Sequence, residues 1–227
     1  MWWEPVPEEE VRAARNHEDV LAMQALAPLS STYLPWTVSA MRPAGVTAVL
    51  NEIVVNRRRT IVELGGGVST YYIGRLLSQQ GGHLWSVEHD EEWAGVLERQ
   101  LAREGLGDVV TVVRAPLVPA LSPWPDEEAC WYTPDVLKQT LAEQRIDLLL
   151  VDGPPAWQAD RSHARYPAFP FFAPMLADNY TVILDDVDRP GEQDILDAWE
   201  RELGITFQRR RVCGVIGVGR SAPGFTI

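Results

Sequence analysis

The chain has little cysteine: Cys130 and Cys213 are the only two among 227 residues, and they form no CxxC pair. That excludes a disulfide framework and a thiolate zinc site, so the expected stabiliser is an apolar core and the expected compartment is the reducing cytoplasm. A basic surplus is also missing. The formal net charge is -12, and affinity for a phosphate backbone comes from Lys and Arg displacing counterions, so nucleic acid is not an expected partner. Two short basic runs, Arg57-Arg58-Arg59 and Arg209-Arg210-Arg211, sit beside strand-like stretches and read as solvated strand ends. No apolar run is long enough to span a bilayer, and Met1-Trp2-Trp3-Glu4 lacks the basic-then-apolar order of a secretion signal. No membrane partner is expected.

What is present is globular: 46% hydrophobic and 23% charged residues. From about residue 60, runs rich in Val, Ile and Leu alternate with helical spacing, which calls for an α/β, Rossmann-like sheet with helices on both faces. Strands are expected near 60–64, 83–87, 109–113, 146–151 and 181–184. Their near-continuous apolar character suits strands covered on both faces. Asp90 is placed to cap a helix carrying Trp93, Leu97 and Leu101, and a helix near 192–203 ends at Gly204. The stretches 205–210 and 212–218 leave room for a hairpin but no crossover helix, so the last strand should be antiparallel. Two helical segments, near 8–26 and 43–55, form an N-terminal helical cap over residues 1–58, with a surface for pairing two subunits or closing a pocket. Residues 29–36 and 116–134 are irregular and aromatic, and the second reads as a substrate-side lid.

The chemistry gathers at strand ends. Glu63-Leu64-Gly65-Gly66-Gly67-Val68-Ser69 turns the first strand into a helix through glycines that let backbone approach a ligand. Glu88 ends the second strand 25 residues after Glu63, the position of an acid that accepts both hydrogen bonds of a ribose diol. A nicotinamide dinucleotide would want a third glycine where Thr70 stands, so an NAD-dependent oxidoreductase is the less favoured reading. Asp152 ends the fourth strand, and Asp185-Asp186 ends the fifth, 33 residues on. His89 and His163 are candidate bases, with His163 on the substrate edge and His89 in the cofactor pocket. Arg161, Arg165 and Arg189 are candidates to recognise an anionic acceptor.

These motifs resemble the class I S-adenosylmethionine-dependent methyltransferases over roughly residues 60–220. The resemblance implies seven strands, with residues 59–227 as the methyltransferase domain and S-adenosylmethionine held by Glu63, Gly65, Gly66, Gly67, Ser69, Glu88, His89 and Asp152. Glu63 would lie near the methionine portion of the cofactor and Glu88 on its ribose. An acid often follows the third strand near adenine, but here the residues are Arg114-Ala115-Pro116-Leu117. The spacing of Asp152, Asp185 and Asp186 is similar to that of the metal-dependent small-molecule O-methyltransferases, where such acids hold Mg2+ and lower the pKa of an acceptor hydroxyl. Methyl transfer to a small-molecule hydroxyl, with Asp152 and His163 as catalytic candidates, is the expected function. Metal-free N- or C-methylation and a noncatalytic nucleotide-binding module remain alternatives.

Overall fold

Seven strands form one sheet in the computed structural model, which describes residues 7–30, 32–124, 127 and 129–225. The first three are β1 (Thr60–Leu64), β2 (His83–Glu88) and β3 (Val110–Arg114). A short separate ribbon follows, β4 (Leu117–Pro119) with β5 (Cys130–Tyr132), and the main sheet continues with β6 (Ile146–Val151), β7 (Leu176–Leu184), β8 (Phe207–Arg210) and β9 (Ile216–Arg220). The spatial order is β3-β2-β1-β6-β7-β9-β8. β1, β2, β3, β6 and β7 run parallel, while β9 lies antiparallel to both β7 and β8. The last strand is therefore antiparallel as expected, although it is inserted inside the sheet and β8 forms the edge.

The sheet is doubly covered, and alternate residues divide between two cores. Ile61, Leu148, Leu150 and Ile183 join α2 (Pro43–Val55), α3 (Val68–Gln80) and α4 (Glu91–Arg103) on one face. Val62, Leu149, Val151 and Val182 join α5 (Pro134–Leu141), α6 (Ala168–Phe172) and α7 (Pro190–Leu203) on the other. This is the period-2 consequence of strands buried on both sides. Trp199 and Phe169 are among the largest fully buried side chains and meet edge to face at 5.5 Å. Each such side chain contributes roughly 1.5–3 kcal/mol through area removed from water.

α1 (Glu8–Leu26) packs on α2, and Arg15 ties it to the sheet by donating to the Arg211 carbonyl at 2.7 Å and to Asp188 at 2.8 Å. Val46, Val49 and Ile53 of α2 share the core of Ile61 and Leu150. The basic run at 57–59 differs from its expectation. Arg58 is buried, donating to Glu52, Asn179 and Thr181, because Glu52 lies in the interior and a buried carboxylate needs a charged partner. No helix among the described residues is long and apolar enough to cross a membrane.

Candidate active site

The register of the parallel strands sets the site. Leu64 is level with Val87 and Val151, and Val151 with Leu184, so Gly65, Glu88, Asp152 and Asp185 emerge together at the carboxyl edge of the sheet. Backbone bonds carry the ladder one residue further: Gly65 donates to Val87, Asp152 to Leu64 and Asp185 to Val151. Open α/β sheets bind ligands at that edge. Here it holds a cavity of about 710 Å³, walled by Gly65, Gly66, Gly67, Glu88, His89, Trp93, Tyr132, Asp152, Trp157, Arg165, Asp186, Arg189 and, from the N-terminal segment, Pro35 and Thr37 to Ala40.

The glycine turn is built from two directions. Gly65 has φ +90° and a Cβ there would lie 3.0 Å from the Asp152 backbone, while a Cβ on Gly66 would meet Leu97 and Ser86 at 2.7 Å. A Cβ on Gly67 would meet nothing within 4 Å among the described residues. Gly65 and Gly66 are thus needed for packing, and Gly67 keeps the ligand side open. Trp93 steadies the turn by donating from Nε1 to the Gly66 carbonyl at 2.7 Å, and Asp90 caps α4 by accepting from the Trp93 amide at 2.8 Å.

Glu63 and Ser69 take a different position from the one the resemblance implied. Both are buried, and neither is on the cavity wall. Glu63 Oε1 accepts from Ser69 at 2.6 Å, and Oε2 accepts from Thr70 and from Ser86 at 2.7 Å. Burial pushes the Glu63 carboxyl above its usual range against the pull of these hydroxyls. Thr70 also accepts from the Gly67 amide at 2.9 Å. The residue standing where a dinucleotide turn would have glycine is therefore a latch between the strand acid and the glycine turn.

Glu88 faces the cavity with one oxygen anchored: Oε1 accepts from the amides of His89 at 2.7 Å and Asp90 at 2.8 Å. His89 Nδ1 lies 2.8 Å from that same oxygen. The close contact with the Glu88 carboxylate pushes the imidazole above its ordinary value against the effect of burial. Tyr132, on the wall with Glu88 and Asp152, is fully buried, and its hydroxyl has no hydrogen-bond partner among the described residues. In the segment expected to form a lid, β4 and β5 pair into a ribbon that brings Trp131 and Tyr132 into the core and Tyr132 onto the cavity wall. Pro125, Asp126 and Glu128 of that stretch, like Ser31 of the other irregular segment, lie outside the described residues. A short Cys-Trp-Tyr strand ahead of the helix opened by Pro134 is the only sequence signal that marks Tyr132.

Asp152, Asp185 and Asp186 do converge, with one carboxylate oxygen from each lying within 4.8 Å of the others. Asp186 adopts φ +61°, a left-handed conformation that Asp tolerates better than most residues. Asp152 and Asp186 are on the cavity wall, whereas Asp185 is buried behind them. Burial pushes Asp152 up to about 7 against the pull of Arg165, with Asp186 adding to the rise. Burial and the two neighbouring aspartates push Asp185 well above its usual range. Such oxygens suit a hard cation, but the Arg165 guanidinium lies among them, 3.3 Å from Asp152 Oδ1 and 3.1 Å from Asp186 Oδ2. A divalent ion shared by the same oxygens would meet a fixed positive charge with little water to screen it. The residues present do not fit a magnesium centre.

His163 is not brought to this site. It stacks on Trp124 at 3.8 Å, its Nδ1 is 2.7 Å from Glu127 and its Nε2 is 3.3 Å from Asp194. It has no place on the cavity wall, because residues 159–167 turn away from the strand ends after Trp157 and leave Arg165 as their inward member. Of the other arginines, Arg189 is on the wall, paired with Asp186 at 2.7 Å. Arg114 turns onto α4, bonded to Glu91 and Glu98.

With this geometry established, comparison with known proteins gives the class. A family profile described as a methyltransferase domain matches residues 62–187, more than half of the chain, and the chain belongs to that family. No curated protein matches it. Among solved structures, an SAH-bound methyltransferase from Podospora anserina is 15% identical, with 98% of this chain and 100% of that one covered and a TM-score of 0.63. An O-methyltransferase from Streptomyces achromogenes, in complex with SAM, is 18% identical over 91% and 90% of the two chains, with a TM-score of 0.55. One from Bacillus cereus, in complex with SAH, is 19% identical over 90% of each, with a TM-score of 0.52. At these identities the likeness is one of fold, and it is the class I S-adenosylmethionine-dependent methyltransferase fold.

Proposed function

We propose that this enzyme transfers the methyl group of S-adenosylmethionine to a hydroxyl oxygen of a small acceptor, with the acceptor proton taken by Asp152. The observation that carries the reading is the alignment of Gly65, Glu88 and Asp152 along one cavity. The wall suits the cofactor: an open glycine face, a cavity-lining carboxylate with one oxygen anchored, and a buried hydroxyl with no partner among the described residues. When bound, S-adenosylmethionine supplies an electrophilic methyl carbon on a positively charged sulfur.

The chain's own residues do the rest. Glu88 accepts from a sugar diol, and Gly67 leaves room for the ligand beside the backbone. Tyr132 offers its hydroxyl between the two acids. Asp152, held near neutrality in its pKa by burial, is suited to accept a proton at physiological pH. Orientation of acceptor oxygen, methyl carbon and sulfur in line supplies the larger part of the rate gain. Trp157 and Arg189, with Pro35 and Thr37 to Ala40 of the N-terminal segment, border the end of the cavity where the acceptor would enter.

The test is calorimetric titration with S-adenosylhomocysteine and, separately, NAD, followed by transfer of labelled methyl from S-adenosylmethionine to a panel of phenols, aliphatic alcohols and amines. Binding of S-adenosylhomocysteine with label on a hydroxyl is the expected result. Binding of NAD alone, or label only on nitrogen or carbon, overturns it.

A further inference from the structure

Arg165 is 3% exposed, and every one of its N–H groups has an acceptor. Nε donates to the Pro154 carbonyl at 3.3 Å. One terminal nitrogen donates to the Asp185 carbonyl at 3.3 Å and Asp186 Oδ2 at 3.1 Å, the other to the Asp152 carbonyl at 2.9 Å and Asp152 Oδ1 at 3.3 Å. Glu192 Oε1 lies 3.6 Å away. A guanidinium has five donors in a fixed fork and cannot lose its proton in a protein, so this one is both saturated and permanently charged. Its backbone is equally fixed. Trp199 donates to the carbonyl of Tyr166, the next residue, at 2.9 Å, and Phe169 and Phe172 of α6 are buried immediately after it.

We propose that Arg165 is the resident cation of the Asp152, Asp185 and Asp186 cluster, orienting Asp152 toward the acceptor and occupying the role that a bridging divalent ion would have. A metal would have to share carboxylates, two of which already give one oxygen to Arg165. Asp152 Oδ1 and Asp186 Oδ2 accept from Arg165, and Asp186 Oδ2 is also ion-paired with Arg189 at 2.7 Å. Asp185 has its backbone carbonyl on the guanidinium and its side chain behind the wall. Removing the guanidinium would leave four acids, Asp152, Asp185, Asp186 and Glu192, facing Arg189 alone, and that is the arrangement that attracts a hard cation. Arg165 is thus a positioning residue, acting on the acceptor through Asp152. The inference rests on the methyl-transfer reading for its catalytic consequence, but the claim about ions can be tested without turnover.

The experiment is a titration of the full chain with Mn2+, read by the loss of the free-ion electron paramagnetic resonance signal. The wild-type chain should leave the signal unchanged to millimolar Mn2+, and Arg165→Gln should bind Mn2+ at least tenfold more tightly, with the gain lost in Arg165→Gln/Asp186→Asn. Methyl transfer by the wild type should be the same within twofold in chelator and in Mg2+. Mn2+ binding by the wild type that Asp186→Asn removes would overturn the proposal. So would a folded Arg165→Gln chain that gains none. Should Arg165→Gln fail to fold, the wild-type arm and its Asp186→Asn control still decide. An absence of turnover with every acceptor would count against the methyl-transfer reading and leave the ion result intact.

Discussion

Ser69 donates its hydroxyl to Glu63 at 2.6 Å across the turn that joins β1 to α3, so the acid ahead of the glycines holds the turn rather than the ligand. Glu63→Ala would leave the hydroxyls of Ser69, Thr70 and Ser86 without their acceptor and open a void. A loss of about 2–4 kcal/mol in denaturant unfolding is expected. Glu63→Gln, which keeps the shape and can still accept, should lose less and should retain affinity for S-adenosylhomocysteine within about threefold. A large affinity loss in a fully folded Glu63→Gln chain would return this residue to the ligand.

The two inner glycines of the turn should separate stability from binding. A methyl group on Gly66 would strike Leu97 and Ser86, so Gly66→Ala should lower the melting temperature at a cost of about 1–3 kcal/mol. Gly67→Ala should melt as the wild type does, yet bind S-adenosylhomocysteine at least about tenfold more weakly, because its methyl group projects into open cavity. Calorimetry and thermal denaturation on the same two variants check both statements.

The parallel strands and the glycine turn were legible in the sequence because each is written locally: short apolar runs, a Gly-Gly-Gly break, and acids at the ends of the second, fourth and fifth runs. The convergence of Asp152 with Asp185 and Asp186 was legible too, since parallel strands in register bring their last residues level. Arg165 was visible only as a candidate for an anionic acceptor. Its five acceptors come from residues as far as 21 positions away, and no periodicity predicts which side of a loop turns inward. His163 failed as a site residue for the same reason. Arg58 reads as solvated because its partner Thr181 is 123 positions distant, and Tyr132 lies in an irregular stretch whose ribbon pairing has no strong alternation.

Tyr132 offers a clean measurement. Its hydroxyl is buried without a partner among the described residues, a state that costs free energy until a ligand satisfies it. Tyr132→Phe should therefore unfold at the same or slightly higher denaturant concentration than the wild type, while its affinity for S-adenosylhomocysteine falls about five- to tenfold. Equal affinity in the two chains would show that the hydroxyl meets nothing on the cofactor.

Stability at low pH should depend on Glu52, far from the active site. Burial alone would raise its pKa, but hydrogen bonds from Arg220 and Thr181, with Asn56 adding to them, outweigh burial and leave it below the usual 4.5. A carboxylate depressed in the folded state contributes stability that is fully present above its unfolded pKa and is lost as pH falls through the folded value. At pH 7, Glu52→Gln leaves the Arg58 and Arg220 guanidinium groups facing no carboxylate in the interior, a loss of about 3–5 kcal/mol. Urea unfolding of both chains from pH 7 to pH 3 should then show their difference steady down to about pH 4.5 and shrinking below it. A difference that stays constant to pH 3 would mean that Glu52 is not the titrating group, and one that shrinks above pH 6 would mean that its pKa is raised.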